Sequence, residues 1–382
     1  MRVLMLGNKK LPDNDYRVRL AARLPEHRFI LGLPGRPDSV PPADFLKVDI
    51  GEGIKPRDAF AWLRLARWLR RSTGEIDLIH VFSTQFVLFG PPLARLIGIP
   101  VWITVTGFGR TFVDDDLRSR SLRPVYRQLL RRSFHAASRV FFQNHGDRRT
   151  AQAWFPSLAH KLEWIGSAVD LPTHVRFTQL PNSSPVRVIL VSRVMPSKGV
   201  DIFVDVARRL HKERPGAATF TLIGPESPGA DTLRDDVRAA EAEGALRWQG
   251  EVTGDALHEA YRQHDVILFP SRGEGMSRVM LEAGFHGLCP VASRIPANED
   301  LVKPGGGLLF DLDQPAQAAA SILALADDRS RLRAEAHAYQ NHVTANYGMK
   351  SYAARVADAL AELHRGTTPG AQAGPDPTKE AR

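Results

Sequence analysis

The 382-residue chain has a single cysteine, Cys289. One thiol rules out an internal disulfide and a cysteine-rich zinc site, and it fits a reducing cytoplasm. No run of about 18 uncharged apolar residues occurs, so no segment reads as a transmembrane helix. Residues 1–7 contain one Arg and too short an apolar stretch for a secretory signal; they read as a buried first strand. Gly-x-Gly-x-x-Gly is missing after that strand, which removes the dinucleotide fingerprint of an oxidoreductase. No Asp-x-Asp stands at a strand end. Asp114, Asp115 and Asp116 fall in a polar insert and read as a solvated turn. No metal and no bound cofactor are expected.

Acidic residues are scarce in one half only. Residues 1–168 hold 27 Lys and Arg against 15 Asp and Glu, and the remainder 24 against 27. A basic half suits nucleic acid or an anionic membrane surface. No nucleic-acid module and no stacking string of aromatics is present, so nucleic acid is not an expected partner. Two expected helices suit a bilayer surface. Residues 62–71 place Trp62, Trp68 and three leucines among arginines. Residues 118–139 carry seven arginines, Arg139 the last, and no acid. Arginine beside interfacial aromatics fits anionic lipid, although the same pattern fits leucines on a core with arginines in water.

Hydrophobic residues make up 43% and charged residues 24%, the balance of a soluble globular protein. Short apolar runs at 3–6, 28–33, 78–82, 101–105 and 140–143 alternate with helical patterns. A second set follows at 186–191, 219–223, 246–249, 266–269 and 290–292. Their continuous hydrophobicity implies strands buried on both faces, hence parallel sheets wound by right-handed βαβ units. The period breaks in the Pro-rich stretch 167–184. The reading is an α/β chain with two Rossmann-like domains facing a cleft, at 1–170 and 171–345. A helix at 346–365 crosses back to the first domain. A tail at 366–382, rich in Gly and Pro, is expected to be disordered. Chemistry should lie on loops beyond the carboxyl ends of the strands.

Two strings occupy such loops in the second half. The first is Glu274-Gly275-Met276-Ser277, followed by Glu282. It comes after the strand at 266–269 and opens a helix near Ser277. Carboxylates accept hydrogen bonds from paired hydroxyls, and free N–H groups at a helix start suit a diphosphate. A capping acid plus a surface acid would look similar. The second string runs from Ser192 to Gly199 and holds Arg193 and Lys198 after the strand at 186–191. Two fixed cations can neutralise a diphosphate; read alone, they are equally two solvated loop residues.

Together these strings resemble the family-4 retaining glycosyltransferases of the GT-B fold, with a Glu-x7-Glu motif and an upstream Arg…Lys-Gly in the second domain. The resemblance covers nearly all of that half, including Leu222-Ile223-Gly224 and Pro290-Val291-Ala292-Ser293. It implies a retaining, metal-independent transfer from a nucleotide sugar, expected to be UDP-linked. Arg193 and Lys198 would bind the diphosphate, Glu274 the sugar and Glu282 the ribose. Gly275, Met276 and Ser277 would complete the donor loop. Gly224 would lie near the phosphates, and Glu251 and Val252 beside the base.

In the first half, Gly107-Phe108-Gly109 after the strand at 101–105, with Arg17, is similar to the branch acting on undecaprenyl-diphosphate-linked sugars. The glycines permit close approach to backbone. The family's common histidine is missing there, and Asn8-Lys9-Lys10-Leu11-Pro12 replaces its Gly-rich loop. Arg17 alone also reads as a surface helix cation. The expected acceptor is a polyprenyl-diphosphate saccharide, in cell-surface glycan synthesis, at the inner face of the plasma membrane. A soluble or lipopolysaccharide-core acceptor and a UDP-sugar epimerase of the same fold are the alternatives.

Overall fold

Valine-, isoleucine- and leucine-rich strands form two parallel sheets in a computed structural model of the chain. The description covers residues 1–7, 16–33, 46–49, 59–71, 74–82, 84–108, 112, 117–169 and 185–367. Gly109, the loop at 8–12, Asp114 to Asp116 and most of the interdomain stretch, 170–184, lie outside it.

The first half contains strands β1 (Arg2–Leu6), β2 (Arg28–Leu33), β3 (Leu46–Asp49), β4 (Leu78–Val81), β5 (Val101–Val105), β6 (Arg139–Phe142) and β7 (Leu162–Trp164). Its helices are α1 (Tyr16–Arg23), α2 (Ala59–Arg71), α3 (Thr84–Ile97), α4 (Leu117–Ala136) and α5 (His145–Trp154). The second half contains β8 (Val186–Val191), β9 (Ala218–Ile223), β10 (Arg247–Trp248), β11 (Val266–Phe269), β12 (Cys289–Ser293) and β13 (Leu308–Phe310). Its helices are α6 (Val200–Glu213), α7 (Asp231–Ala242), α8 (Gly254–Arg262), α9 (Arg278–Phe285), α10 (Pro296–Gly305), α11 (Pro315–Asp327), α12 (Arg329–Tyr347) and α13 (Met349–Thr367).

The sheet orders are β3-β2-β1-β4-β5-β6-β7 and β10-β9-β8-β11-β12-β13. Every recorded pairing is parallel, as Val3↔Phe29 and Val266↔Val188 show. This is the expected pair of Rossmann-like sheets. In each, the winding reverses beside the first strand, between β1 and β4 and again between β8 and β11. Such a reversal opens a crevice at the carboxyl edge. Central strands are buried along their whole length, as in β4, β5 and β11. Edge strands β3, β7 and β13 were not expected from the sequence. Sheet edges are commonly short and punctuated by charge, and LKVD and LEW carry too little apolar signal to stand out.

Helix α13 packs on the first sheet. Tyr352, Val356 and Leu360 are buried with Val3, Phe29, Trp102 and Phe141. Each such apolar side chain contributes roughly 1.5–3 kcal/mol on burial. Arg355 donates to the Ile165 carbonyl at 2.8 Å and lies over the Trp164 ring at 4.7 Å. Two expectations need correction. The helix runs through Thr367, two residues past the expected end at 365; 368–382 fall outside the description. Arg139 is not on the basic helix, because α4 ends at Ala136. Arg139 opens β6 and pairs with Glu163 at 3.4 Å and with Glu362 of α13.

Candidate functional site

The loops after β8 and β11 meet across the crevice of the second sheet. A short 3-10 turn, Pro196–Lys198, leaves β8 and ends at Gly199, whose φ is +70°. A side chain there would strike the Pro270 carbonyl, 2.0 Å from its Cβ, so only glycine lets the two loops touch. Arg272 fixes the contact by pairing with Asp201 at 2.6 Å and giving its N–H to the Ser197 carbonyl at 3.0 Å. Arg272 thus serves loop structure.

Lys198 Nζ then lies 2.5 Å from Glu274 Oε1, which also accepts from Ser271 Oγ at 2.8 Å. The two side chains are 28% and 13% exposed. Lys198 retains two further N–H donors and Glu274 a second oxygen. Arg193 stands exposed on the same loop; its carbonyl accepts from Ser192 Oγ at 3.2 Å, and its guanidinium has no hydrogen-bond or ion-pair partner among the described residues. Beside it, Gly224 gives its N–H to the Gly250 carbonyl at 2.6 Å, and a Cβ on Gly224 would meet the Ser192 carbonyl at 1.9 Å. The loops after β8, β9 and β10 therefore form one continuous edge, with Glu251 exposed and Val252 half-buried next to it.

Helix α9 begins where the sequence suggested. Ser277 is its cap, its hydroxyl accepting from the Met280 N–H at 3.3 Å. Met276 points into the core. Glu282, just over one turn into α9, is largely buried. It accepts from the Tyr261 hydroxyl at 3.3 Å and lies 3.6 Å from Arg278. Burial pushes its carboxyl above the usual range, against the opposing charge of Arg278. Tyr261 is stacked on His286, with ring centroids 5.4 Å apart.

The first sheet meets this edge directly. A Cβ on Gly275 would sit 2.0 Å from the Thr106 carbonyl, and Gly107 has φ +110°. The backbones of the loops after β5 and β11 thus lie against each other. Asn144, after β6, caps α5 by accepting the Asp147 N–H at 2.6 Å, and its Nδ2 donates to the Gly275 carbonyl at 2.5 Å. Asp300 on α10 accepts from the His145 and Gly146 N–H groups at the α5 N-terminus, the end of the helix dipole that favours an anion.

A cavity of about 530 Å3 opens between the two halves. Gly107, Phe108 and Asp147 line it from one side, Ser197, Glu274 and Gly275 from the other. Lys198 is one residue from that wall. Arg193, Gly224, Glu251, Val252 and Glu282 are not part of it and follow the second sheet's edge. Arg17 also stands apart, at the crevice of the first sheet. It is 5% exposed, 5.6 Å from the Phe82 centroid, and its guanidinium would clash with a side chain at Gly7. That burial does not fit a surface cation. The sequence reading passed over Asn144, Asp147, Thr150, Trp154 and Tyr261. Only Asn144 and Asp147 carry a local signal, an Asn-x-x-Asp step from strand to helix start.

Residues 9–162 match the glycosyl transferase 4-like domain model and residues 185–328 the glycosyl transferases group 1 model. Among curated proteins, the chain is 30% identical over 198 residues to a D-inositol 3-phosphate glycosyltransferase of Thermobispora bispora. That match takes in 48% of this chain and 46% of the relative. It is 29% identical over 265 residues to the GDP-mannose-dependent alpha-(1-6)-phosphatidylinositol monomannoside mannosyltransferase of Mycobacterium tuberculosis, over 63% of this chain and 66% of that one. The chain thus spans about half to two thirds of these relatives. Sucrose-phosphate synthase from Thermosynechococcus elongatus superposes with a TM-score of 0.79 at 14% identity, over 96% of this chain and 100% of that one. HepE of Anabaena, solved with UDP and glucose, gives 0.73 at 18%, over 95% and 100%. The two domain models together take in most of the chain, which belongs to the glycosyltransferases that join a 4-like domain to a group 1 domain in the GT-B fold.

Proposed function

We propose that the chain is a retaining glycosyltransferase moving a hexose or N-acetylhexosamine from a UDP-sugar to a polyprenyl-diphosphate-linked saccharide. One observation carries this reading. Lys198 and Glu274, on loops after the two strands that flank a sheet reversal, meet at 2.5 Å facing Gly107 of the other sheet. A cation and an acid at such a crevice suit the two ends of a sugar diphosphate. Arg193, exposed on the Lys198 loop, supplies a second charge.

In this reading the bond from C1 of the sugar to the diphosphate oxygen breaks. A bond from the acceptor oxygen to C1 forms on the same face, and the acceptor proton passes to a diphosphate oxygen. Arg193 and Lys198 stabilise the charge gathering on the leaving group; such preorganised donors contribute about a hundredfold or more to rate. Glu274 holds the sugar and Glu282 the ribose, and no metal is assigned a role. Gly107, Phe108 and Arg17 belong to the acceptor half, as does Gly109.

A second reading is favoured by the curated relatives, whose names specify inositol phosphate and phosphatidylinositol mannoside acceptors and, for one, GDP-mannose. It keeps the same site and changes the base and the acceptor. A soluble or lipopolysaccharide-core acceptor, and a UDP-sugar epimerase, remain alternatives. The discriminating assay measures nucleoside diphosphate release from UDP- and GDP-sugars, in EDTA, with and without lipid-linked saccharide or inositol phosphate. Release that requires an acceptor and survives EDTA is expected. Isomerisation or hydrolysis indifferent to acceptor would favour the epimerase and overturn the transferase.

A further inference from the structure

The first-sheet wall of the interdomain cavity has a chemistry of its own. We propose that this wall seats a polyhydroxylated ring of the acceptor, a pyranose or a cyclitol, with Asp147 accepting from a pair of its hydroxyls. This rests on the glycosyltransferase reading above and names the acceptor chemistry of that site.

Helix α5 sets the pattern. Asp147, Thr150 and Trp154 stand at i, i+3 and i+7, so one helix face presents a carboxylate, a hydroxyl and an indole in sequence. All three line the cavity, with Phe108 and Phe112 beside the indole. The Trp154 centroid lies 4.7 Å from Phe108 and 4.9 Å from Phe112, and Arg127 packs over the indole at 4.5 Å. The result is a fixed apolar surface next to polar groups. A sugar ring has that same division, a C–H face and a hydroxyl rim.

Asp147 is held for recognition more than for structure. Asn144 Nδ2 donates to its Oδ2 at 2.9 Å, and no Lys or Arg pairs with it among the described residues. Its Oδ1 has no hydrogen-bond partner among them. A largely buried carboxylate with one side-chain donor is unfavourable. Burial, with Asp300 nearby, pushes its carboxyl up to about 6 despite the Asn144 hydrogen bond. Two ring hydroxyls would supply the missing donors. An acceptor phosphate would be repelled from this wall, so it must lie elsewhere along the cleft. Glu274 and Gly275 face the wall across the cavity, which sets a bound ring beside the donor loop.

The test uses the full chain saturated with UDP, as wild type, Asp147→Asn and Thr150→Val. The probes are methyl glucoside, methyl mannoside, methyl N-acetylglucosaminide and myo-inositol, followed by saturation-transfer NMR and by Trp fluorescence. Binding of at least one probe to wild type is expected, and which probe binds separates pyranose from cyclitol. Asp147→Asn should weaken it about tenfold, as loss of a hydrogen bond to a charged group does. Thr150→Val should weaken it less. The UDP-induced rise in melting temperature should persist in all three proteins. If UDP binds but no probe does, or if Asp147→Asn binds the probe as wild type does, the inference fails while the donor reading stands. If neither UDP nor GDP binds any of them, the donor reading fails and takes this inference with it.

Discussion

Asp147 is an acid whose surroundings oppose its charge. Raised to about 6 by burial and by Asp300, it holds its proton more tightly in the folded chain than in the unfolded one. The folded state is then favoured below the unfolded value near 4, and that advantage is lost as pH rises toward 6. Asp147→Asn removes the ionisable group. Its melting temperature should exceed that of wild type at pH 7, with the gap closing by pH 4. A variant that melts lower than wild type at pH 7 would mean that the carboxylate stabilises the fold. Stability surrendered at a binding position is common in functional sites. Glu282 shows the same tension: burial raises its carboxyl, and the Tyr261 hydroxyl and Arg278 hold it in place. Lys198 and Glu274 differ in being partners, so removing either leaves a part-buried charge unmatched.

At the scale of elements, the site is a set of strand ends. Glycine decides how closely they approach, since Gly199, Gly224 and Gly275 would each place a Cβ about 2 Å from a neighbouring carbonyl group. Helix α4 raises a different question. Leu122 and Val125 are 45% and 57% exposed, and Arg131 and Arg132 are exposed near its C-terminal end. Leu122, Val125 and Arg132 fall within one arc of the helix. Apolar and cationic exposure together suit an anionic lipid surface. The protein should sediment with phosphatidylglycerol vesicles at low salt and be released by high salt. Replacing Arg132 with alanine should weaken the partition about fivefold, at roughly 1 kcal/mol. Equal sedimentation with neutral vesicles would contradict membrane docking.

The parallel strands, and the places of Arg193, Lys198 and Glu274 on the loops after them, were legible because their signals are local: an unbroken apolar run, then a polar loop, then a helix start. Edge strands β3 and β7 were not, being short and mixed in polarity, and β13 is apolar but only three residues long. Nor was the acceptor wall. Asp147, Thr150 and Trp154 read as an ordinary amphipathic helix, and nothing local says that the loop of Gly275 lies opposite. Arg139 was misplaced for a related reason. Ala136-Ala137-Ser138 puts no Gly or Pro between the arginines of the helix and Arg139, whose actual partners, Glu163 and Glu362, are distant in sequence.

Across the whole molecule, the halves are joined at several points. Asn144 reaches Gly275, Asp300 holds the start of α5, and α13 returns to cover the first sheet. Among the described residues no helix is long and apolar enough to cross a membrane. The arrangement leaves one crevice with donor-type charges on one lip and a carboxylate–aromatic wall on the other. The proposed function requires that the edge formed by the loops after β8 and β11 bind a nucleoside diphosphate. Titration calorimetry of UDP and GDP into wild type, Lys198→Ala and Glu282→Ala tests this most directly. One of the two nucleotides should bind wild type at a single site, with each substitution weakening it at least about tenfold. Unchanged binding in both variants, or none to wild type, would contradict it.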